Sequence, residues 1–184
     1  MAAVWCALLG YLAGTLNPSY FIGRVKGFDI RSRGSGNAGG SNALITMGSA
    51  VGVFCMIFDI LKAFGIIRLM DILFGGFTRR FAVTAAACVL GHLFPFYMRF
   101  RGGKGLACMG GALLAYSPVA FLVALVLAAV IGFTVDYICV VPMTAAVVLP
   151  ILYGVTTGDV AGALILAVAG AAVLCKHWEN VVRI

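Results

Sequence analysis

The chain has 184 residues, 63% of them hydrophobic and only 10% charged, with a formal net charge of +7. A soluble globular domain carries about a quarter charged residues, so that class is excluded and an all-α integral membrane protein is indicated. The thirteen Lys and Arg lie in short segments between apolar runs instead of on a soluble basic face. That placement excludes nucleic acid as a partner and makes anionic headgroups and anionic small molecules the expected counterparts.

Uncharged runs cover 1–22, 81–98, 106–135 and 137–158, against the roughly 20 residues a helix needs to cross hydrocarbon. The first run, 1–22, lacks the basic start of a secretory signal, and its Asn17-Pro18-Ser19 is unlike a cleavage site, so it is expected to be one span. Its Gly10 and Gly14 form a small-xxx-small pair suited to close helix approach. Arg24, Lys26, Arg31 and Arg33 follow with a single acid, Asp29. Such a loop is cytoplasmic by the positive-inside rule, which puts the N-terminus outside.

Residues 34–42, Gly-Ser-Gly-Asn-Ala-Gly-Gly-Ser-Asn, match G-x-G-x-x-G literally. A dinucleotide fold needs a preceding strand and a soluble βαβ unit, which have no place between membrane spans. Two readings remain: a flexible linker, or a stretch whose Ser35, Gly36, Asn37 and Asn42 hold a phosphate at the N-terminus of the next helix. A second span is expected over 49–67. It contains Asp59 and Lys62, three residues apart and therefore on one helix face, as a structural ion pair or as a substrate contact. Alternation puts the turn with Arg68, Asp71, Arg79 and Arg80 outside, although nine of the thirteen Lys and Arg belong to the inner loops and the C-terminal segment.

The run 81–98 returns the chain to the cytoplasm and delivers the densest motif, residues 91–111. Here Gly91-His92, Phe94-Pro95-Phe96 and the cations Arg99, Arg101 and Lys104 surround Gly102, Gly103 and Gly105. Glycines with unobstructed N–H groups beside a mobile ammonium and a planar guanidinium are the chemistry of a phosphate site. Pro118 divides the run after it. Residues 106–116 are expected to form a helix of ~16 Å at ~1.5 Å per residue, half a membrane. Spans over 119–135, 137–153 and 160–175 bring the expected total to about seven transmembrane helices, one of them short or broken. The end, 176–183, is expected to be a polar tail carrying His177, Asn180 and Arg183. The six cysteines are dispersed with no metal-ligand spacing and are expected to be core residues; neither metal nor cofactor is implied.

Three polar patches on one side of the membrane, 34–42, 91–105 and 176–183, resemble those of the bacterial acyl-phosphate:glycerol-3-phosphate acyltransferases of the PlsY type. The resemblance is carried by Gly34-Ser35-Gly36-Asn37 with Asn42, by Gly91-His92 with Phe94-Pro95-Phe96 and Gly102-Gly103-Lys104-Gly105, and by His177 with Asn180; Asp59 and Lys62 resemble the family's Asp-x-x-Lys pair. It implies a single transmembrane domain over 1–184 in the bacterial inner membrane, with its site facing the cytoplasm. It also implies transfer of a fatty acyl group from acyl phosphate to the 1-hydroxyl of glycerol 3-phosphate, giving lysophosphatidic acid and phosphate for phospholipid synthesis. On this reading Lys104, His177 and Asn180 are catalytic. Ser35, Gly36, Asn37, Asn42, Arg101, Gly102, Gly103 and Lys104 hold phosphate, and His92, Asp59 and Lys62 support the site.

Acyl phosphate is an activated donor, and no Ser-His-Asp or Cys-His arrangement is evident, so direct attack by the glycerol hydroxyl is expected. Its proton goes either to a substrate phosphate oxygen or to His177. The sequence departs from the family pattern at Ile45, usually Arg, at Cys108, usually Thr, and around Pro142, where serines are usual; it ends at Ile184, before the usual Gly-Thr-Glu. These departures define an alternative, a catalytically impaired paralogue that binds lipid or phosphate or regulates an active enzyme.

Overall fold

A computed structural model of the chain describes residues 1–134 and 140–182, with the side chains at 132–134, 140, 142 and 179–182 outside the description. Cys139 and Arg183, and the side chains of Pro142 and Asn180, therefore lie outside the described residues. Among the described residues there is no strand. The helices are α1 (Ala2–Thr15), α2 (Pro18–Val25), α3 (Gly40–Met47), α4 (Ser49–Leu73), α5 (Arg80–Leu93), α6 (Leu106–Tyr116), α7 (Pro118–Thr134), α8 (Val140–Thr157) and α9 (Val160–Val182), with 3-10 turns at Ile30–Ser32 and Phe96–Met98.

The polytopic all-α architecture is as expected. Three stretches, Ser49–Leu73, Arg80–Met98 and Val160–Trp178, are singly long and apolar enough to cross a membrane. The short helix falls at Leu106–Tyr116, as Pro118 predicts. Val119, Leu122, Val126 and Val130 on α7 and Leu164 and Val168 on α9 are each more than half exposed. An apolar surface of that kind suits lipid, not water.

Three expectations are corrected. The first crossing is not one helix: the chain breaks at Leu16, Asn17 caps α2 by accepting the Tyr20 N–H at 2.9 Å, and Pro18 takes the first turn, where its missing N–H costs nothing. The second crossing continues past residue 67 to Leu73. The last expected span, 160–175, also runs on: α9 continues to Val182 and carries His177 of the polar end on the helix.

Small residues set the packing. A Cβ on Gly14 would overlap the Cys88 carbonyl, one on Gly91 would overlap that of Tyr11, and one on Gly10 would lie 2.8 Å from the Thr84 oxygen. The small-xxx-small face of α1 thus lies along α5 in parallel, backbone against backbone. Likewise Gly111 of α6 meets Ile60 and Ala63 of α4, and Gly170 of α9 meets Ala146 of α8. Gly14→Val is expected to cost about 3 kcal/mol, at the upper end of overpacking penalties; melting in detergent, compared with Leu8→Val on the exposed side of α1, checks it.

These pairings give the bundle two ends. At one, Arg79 pairs with Asp159 at 3.0 Å, and Arg80 and Arg68 pair with Asp71 at 2.8 and 3.3 Å. The three arginines at this end are thus each held by an acid. The other end collects the polar loops.

Candidate active site

The loop end is built where helices break. α1 stops before Asn17-Pro18, α5 stops at Leu93 before Pro95, and α6 starts from Gly105, whose φ of +91° is left-handed. Irregular backbone at membrane depth is tolerated where it lines a polar cavity.

The first loop is folded by three side chains. Asn42, wholly buried, donates through Nδ2 to the carbonyls of Ile30, Arg33 and Asn37 at 2.9–3.0 Å and accepts the Ser35 N–H at 2.9 Å. Asn17 donates to the Ala38 carbonyl at 2.8 Å, joining the α1–α2 break to the same loop. Arg31 forks onto Asp29 (2.9 and 2.7 Å) and sends Nη1 across to the carbonyls of Met98 and Arg101 at 2.6 and 3.2 Å, so one guanidinium ties the first loop to the second.

The hydrogen bonds from Arg31, outweighing the effect of burial, hold the Asp29 carboxyl below its usual range. A depressed pKa means this tether stabilises the fold above about pH 4 and is lost as pH falls through the lower, folded value. The melting-temperature gap between the native chain and Asp29→Asn is therefore expected to be full near neutrality and to close as pH falls through the lowered, folded value. A gap that does not change with pH would contradict it.

The second loop returns onto the end of α5. The Gly102 N–H donates to the Leu93 carbonyl at 3.0 Å and the Gly103 N–H to that of His92 at 3.1 Å. The expectation that these two N–H groups stand open to phosphate is corrected: the last carbonyls of a helix need donors, and these glycines supply them. Their lack of side chains is used for close approach, since a Cβ on Gly103 would overlap His92 Nε2 and sit 2.9 Å from the Ala38 oxygen. The Asn42 amide is likewise engaged within its loop.

Gly105 packs against Leu93 and against Val173 of α9. One turn beyond Val173, buried His177 donates Nδ1–H to the Val173 carbonyl at 2.9 Å. A carbonyl only accepts, so the neutral ring keeps its lone pair on Nε2. Lys104, half-buried between the second loop and α9, is close enough for its charge to act on His177. Lys176 lies 4.9 Å above the Phe94 ring. Ser35, Gly36, Arg33 and Arg101 are exposed, Asn37 and Lys104 half-buried and His177 buried, a gradient from an open cationic mouth to a covered floor.

Two helix N-termini open onto this region, α3 after Gly39 and α6 after Gly105, and neither has a side-chain cap. Each start carries the positive end of a helix dipole, one after the first glycine loop and one after Lys104. Beneath them, Asp59, Lys62 and His92 are buried together. Asp59 and Lys62 do pair, at 2.6 Å.

The family model for glycerol-3-phosphate acyltransferase matches residues 4–184. The chain belongs to the glycerol-3-phosphate acyltransferase family. Its relatives within this acyltransferase family include "Glycerol-3-phosphate acyltransferase 2" of Thermotoga maritima, 38% identical over 96% of this chain and 90% of the relative. "Glycerol-3-phosphate acyltransferase 3" of Bacillus anthracis is 35% identical over 96% and 88%. Crystal structures of PlsY (YgiH), an integral membrane glycerol 3-phosphate acyltransferase, superpose with TM-scores of 0.88 for its glycerol 3-phosphate form and 0.86 for its lysophosphatidic acid form. Both are 30% identical, covering all of this chain and 92% and 91% of theirs. The impaired-paralogue alternative finds no support in these similarities.

Of the residues expected to form the acyltransferase site, the fold gathers Ser35, Gly36, Asn37, Asn42, Arg101, Gly102, Gly103, Lys104, His92 and His177 at one end, with Asp59 and Lys62 below. The backbone of Asn180 lies in α9, one turn beyond His177. Two organising residues were missed, Asn17 and Arg31. Asn-Pro after an apolar run signals a helix restart, whereas nothing in the sequence marks Arg31 as different from its neighbouring cations.

Proposed function

We propose that this chain transfers a fatty acyl group from acyl phosphate to the 1-hydroxyl of glycerol 3-phosphate. The observation that carries the reading is the packing of the first loop at Ala38 on the second at Gly103, with Lys104 near enough to His177 for its charge to act there, in a member of this family. Two phosphates must be brought together, and the site offers two sets of helix N–H groups with Lys104 between a glycine loop and α9. Arg101 and Arg33 at the mouth favour entry of dianionic substrates. Eight of the twelve Lys and Arg among the described residues belong to the loop end, which supports placing that end in the cytoplasm and the chain in the bacterial inner membrane. The acyl tail then stays in lipid beside the helices.

The glycerol C1 oxygen attacks the acyl carbon, and the bond from that carbon to the phosphoryl oxygen breaks, releasing inorganic phosphate and lysophosphatidic acid. Lys104, together with the Asn180 amide and the helix N–H groups, stabilises the charge that develops on the acyl oxygen and the leaving phosphate. The hydroxyl proton passes to a phosphate oxygen of glycerol 3-phosphate. His177, with Nε2 unprotonated in the neutral ring, is the competing acceptor. The experiment is to supply purified protein in lipid with acyl phosphate and labelled glycerol 3-phosphate. Labelled lysophosphatidic acid with equimolar phosphate is expected; no product from folded protein that accepts neither substrate would overturn the reading.

Ile45 stands on α3, 68% exposed, where the family usually carries Arg. Ile45→Arg is expected to tighten glycerol 3-phosphate binding about tenfold, the lower end of what a charge-assisted hydrogen bond contributes. Unchanged KM would show that position 45 does not reach the substrate.

A further inference from the structure

The Lys62 ammonium has three protons and three close electronegative neighbours: Asp59 Oδ1 at 2.6 Å, the Leu16 carbonyl at 2.5 Å and His92 Nδ1 at 3.1 Å. Lys62 and Asp59 side chains are each 4% exposed and His92 is 3% exposed. The contact to Asp59 is an ion pair outside hydrogen-bond geometry. His92 Nδ1 thus faces both members of the pair, the Lys62 ammonium at 3.1 Å and Asp59 Oδ1 at 3.5 Å, and its Nε2 edge is turned to the second loop. That edge of the ring packs on the α-carbon of Gly103, with no room for a Cβ between them.

The cluster is joined to both substrate loops. Leu16 is the last residue before Asn17, which holds Ala38 of the first loop at 2.8 Å. His92 holds the second loop twice, by its ring against Gly103 and by its carbonyl on the Gly103 N–H at 3.1 Å. Cys108 Sγ of α6 reaches the Asp59 carbonyl at 3.6 Å, tying in the helix that follows Lys104. Asp59, His92 and Cys108 also bring metal-ligating atoms within 4.8 Å of one another, but the Lys62 ammonium already supplies the positive charge there.

We infer that Lys62 is a positioning residue, acting through His92 and Leu16 to set Lys104 and Asn37 at the separation that two phosphates need. Its burial keeps it away from substrate, so its effect reaches the reaction only through the placement of the loops. This inference rests on the proposed acyl transfer. A plain structural ion pair would explain the Asp59 contact but not why the ammonium also holds His92 and Leu16, the two points from which the loops depart.

The test separates positioning from stability in the full chain reconstituted in lipid. Lys62→Met leaves Asp59 buried and unpaired and is expected to lower the melting temperature. The double variant Asp59→Asn with Lys62→Met removes both charges and is expected to recover most of it. Positioning predicts that the double variant nevertheless keeps a KM for glycerol 3-phosphate raised about tenfold or more, with kcat reduced less, since misplacement of about 1 Å costs up to a hundredfold. Recovery of melting temperature and KM together would overturn the inference and leave a structural pair.

If neither variant folds, Gly103→Ala decides from the loop side. Its Cβ presses on His92 Nε2 and the Ala38 oxygen and leaves both charges of the ion pair in place, and it is expected to raise KM by a similar factor in protein that still folds, with some loss of melting temperature from overpacking. An unchanged KM would overturn the inference. Native protein that neither binds nor turns over glycerol 3-phosphate would instead remove the proposed function beneath it.

Discussion

Lys104→Ala is expected to lower turnover by about a thousandfold while the protein folds and inserts normally. Removing one preorganised donor from a developing oxyanion costs a hundredfold to a thousandfold. Lys104 sits at the high end because it carries full charge, is half-buried, and follows two glycines already bound to the end of α5. Its backbone is therefore held even when the side chain is lost, and Ala is compatible with the loop. Lys104→Arg is expected to recover little, since a planar fork does not replace a point charge between a tight loop and α9. Steady-state rates with labelled glycerol 3-phosphate check both variants; activity within tenfold of native in Lys104→Ala would exclude a direct role.

Asn42→Leu is expected to produce the largest loss among residues that hold the loops in place. Leucine leaves three carbonyls and the Ser35 N–H without the partner they now share. Each buried orphan costs about 1–3 kcal/mol, less where water replaces the partner. A net loss of about 4 kcal/mol is expected, confined to the first loop and α3. The loop that aims Asn37 and uncaps α3 is then disordered, and kcat/KM is expected to fall about a hundredfold. Asn42→Asp has nearly the same shape but sets a second acceptor against three carbonyl oxygens, so it is expected to fail as badly. Hydrogen exchange over residues 30–47 alongside kinetics checks this; fast exchange with unaltered kinetics would separate the loop from the reaction.

The crossings were legible because apolar runs and prolines are local signals: Pro118 separates α6 from α7 as the sequence suggests, and Gly10 and Gly14 pack as their spacing suggests. The patches were legible because glycine, amide and cation density does not depend on long-range folding. The use made of each group was not. Gly102 and Gly103 have the composition of a phosphate nest, yet their N–H groups are claimed by the end of α5, a partner fixed only when the loop folds back. Asn42 has the chemistry of a ligand and is used as a keystone, which depends on three carbonyls up to twelve residues away. Lys62 and Asp59 read as a pair from spacing alone. Their link to His92 and Leu16 requires α1, α4 and α5 to be brought together, and no local pattern encodes that.

The most direct measurement is the structure of the full chain in lipid with glycerol 3-phosphate bound. The account predicts the phosphate within hydrogen-bond reach of Lys104 or of the N–H groups that open α3 or α6, with the C1 hydroxyl turned toward His177. Phosphate bound instead among Arg68, Arg79 and Arg80 at the opposite end of the bundle, with the loop end unchanged, would contradict it.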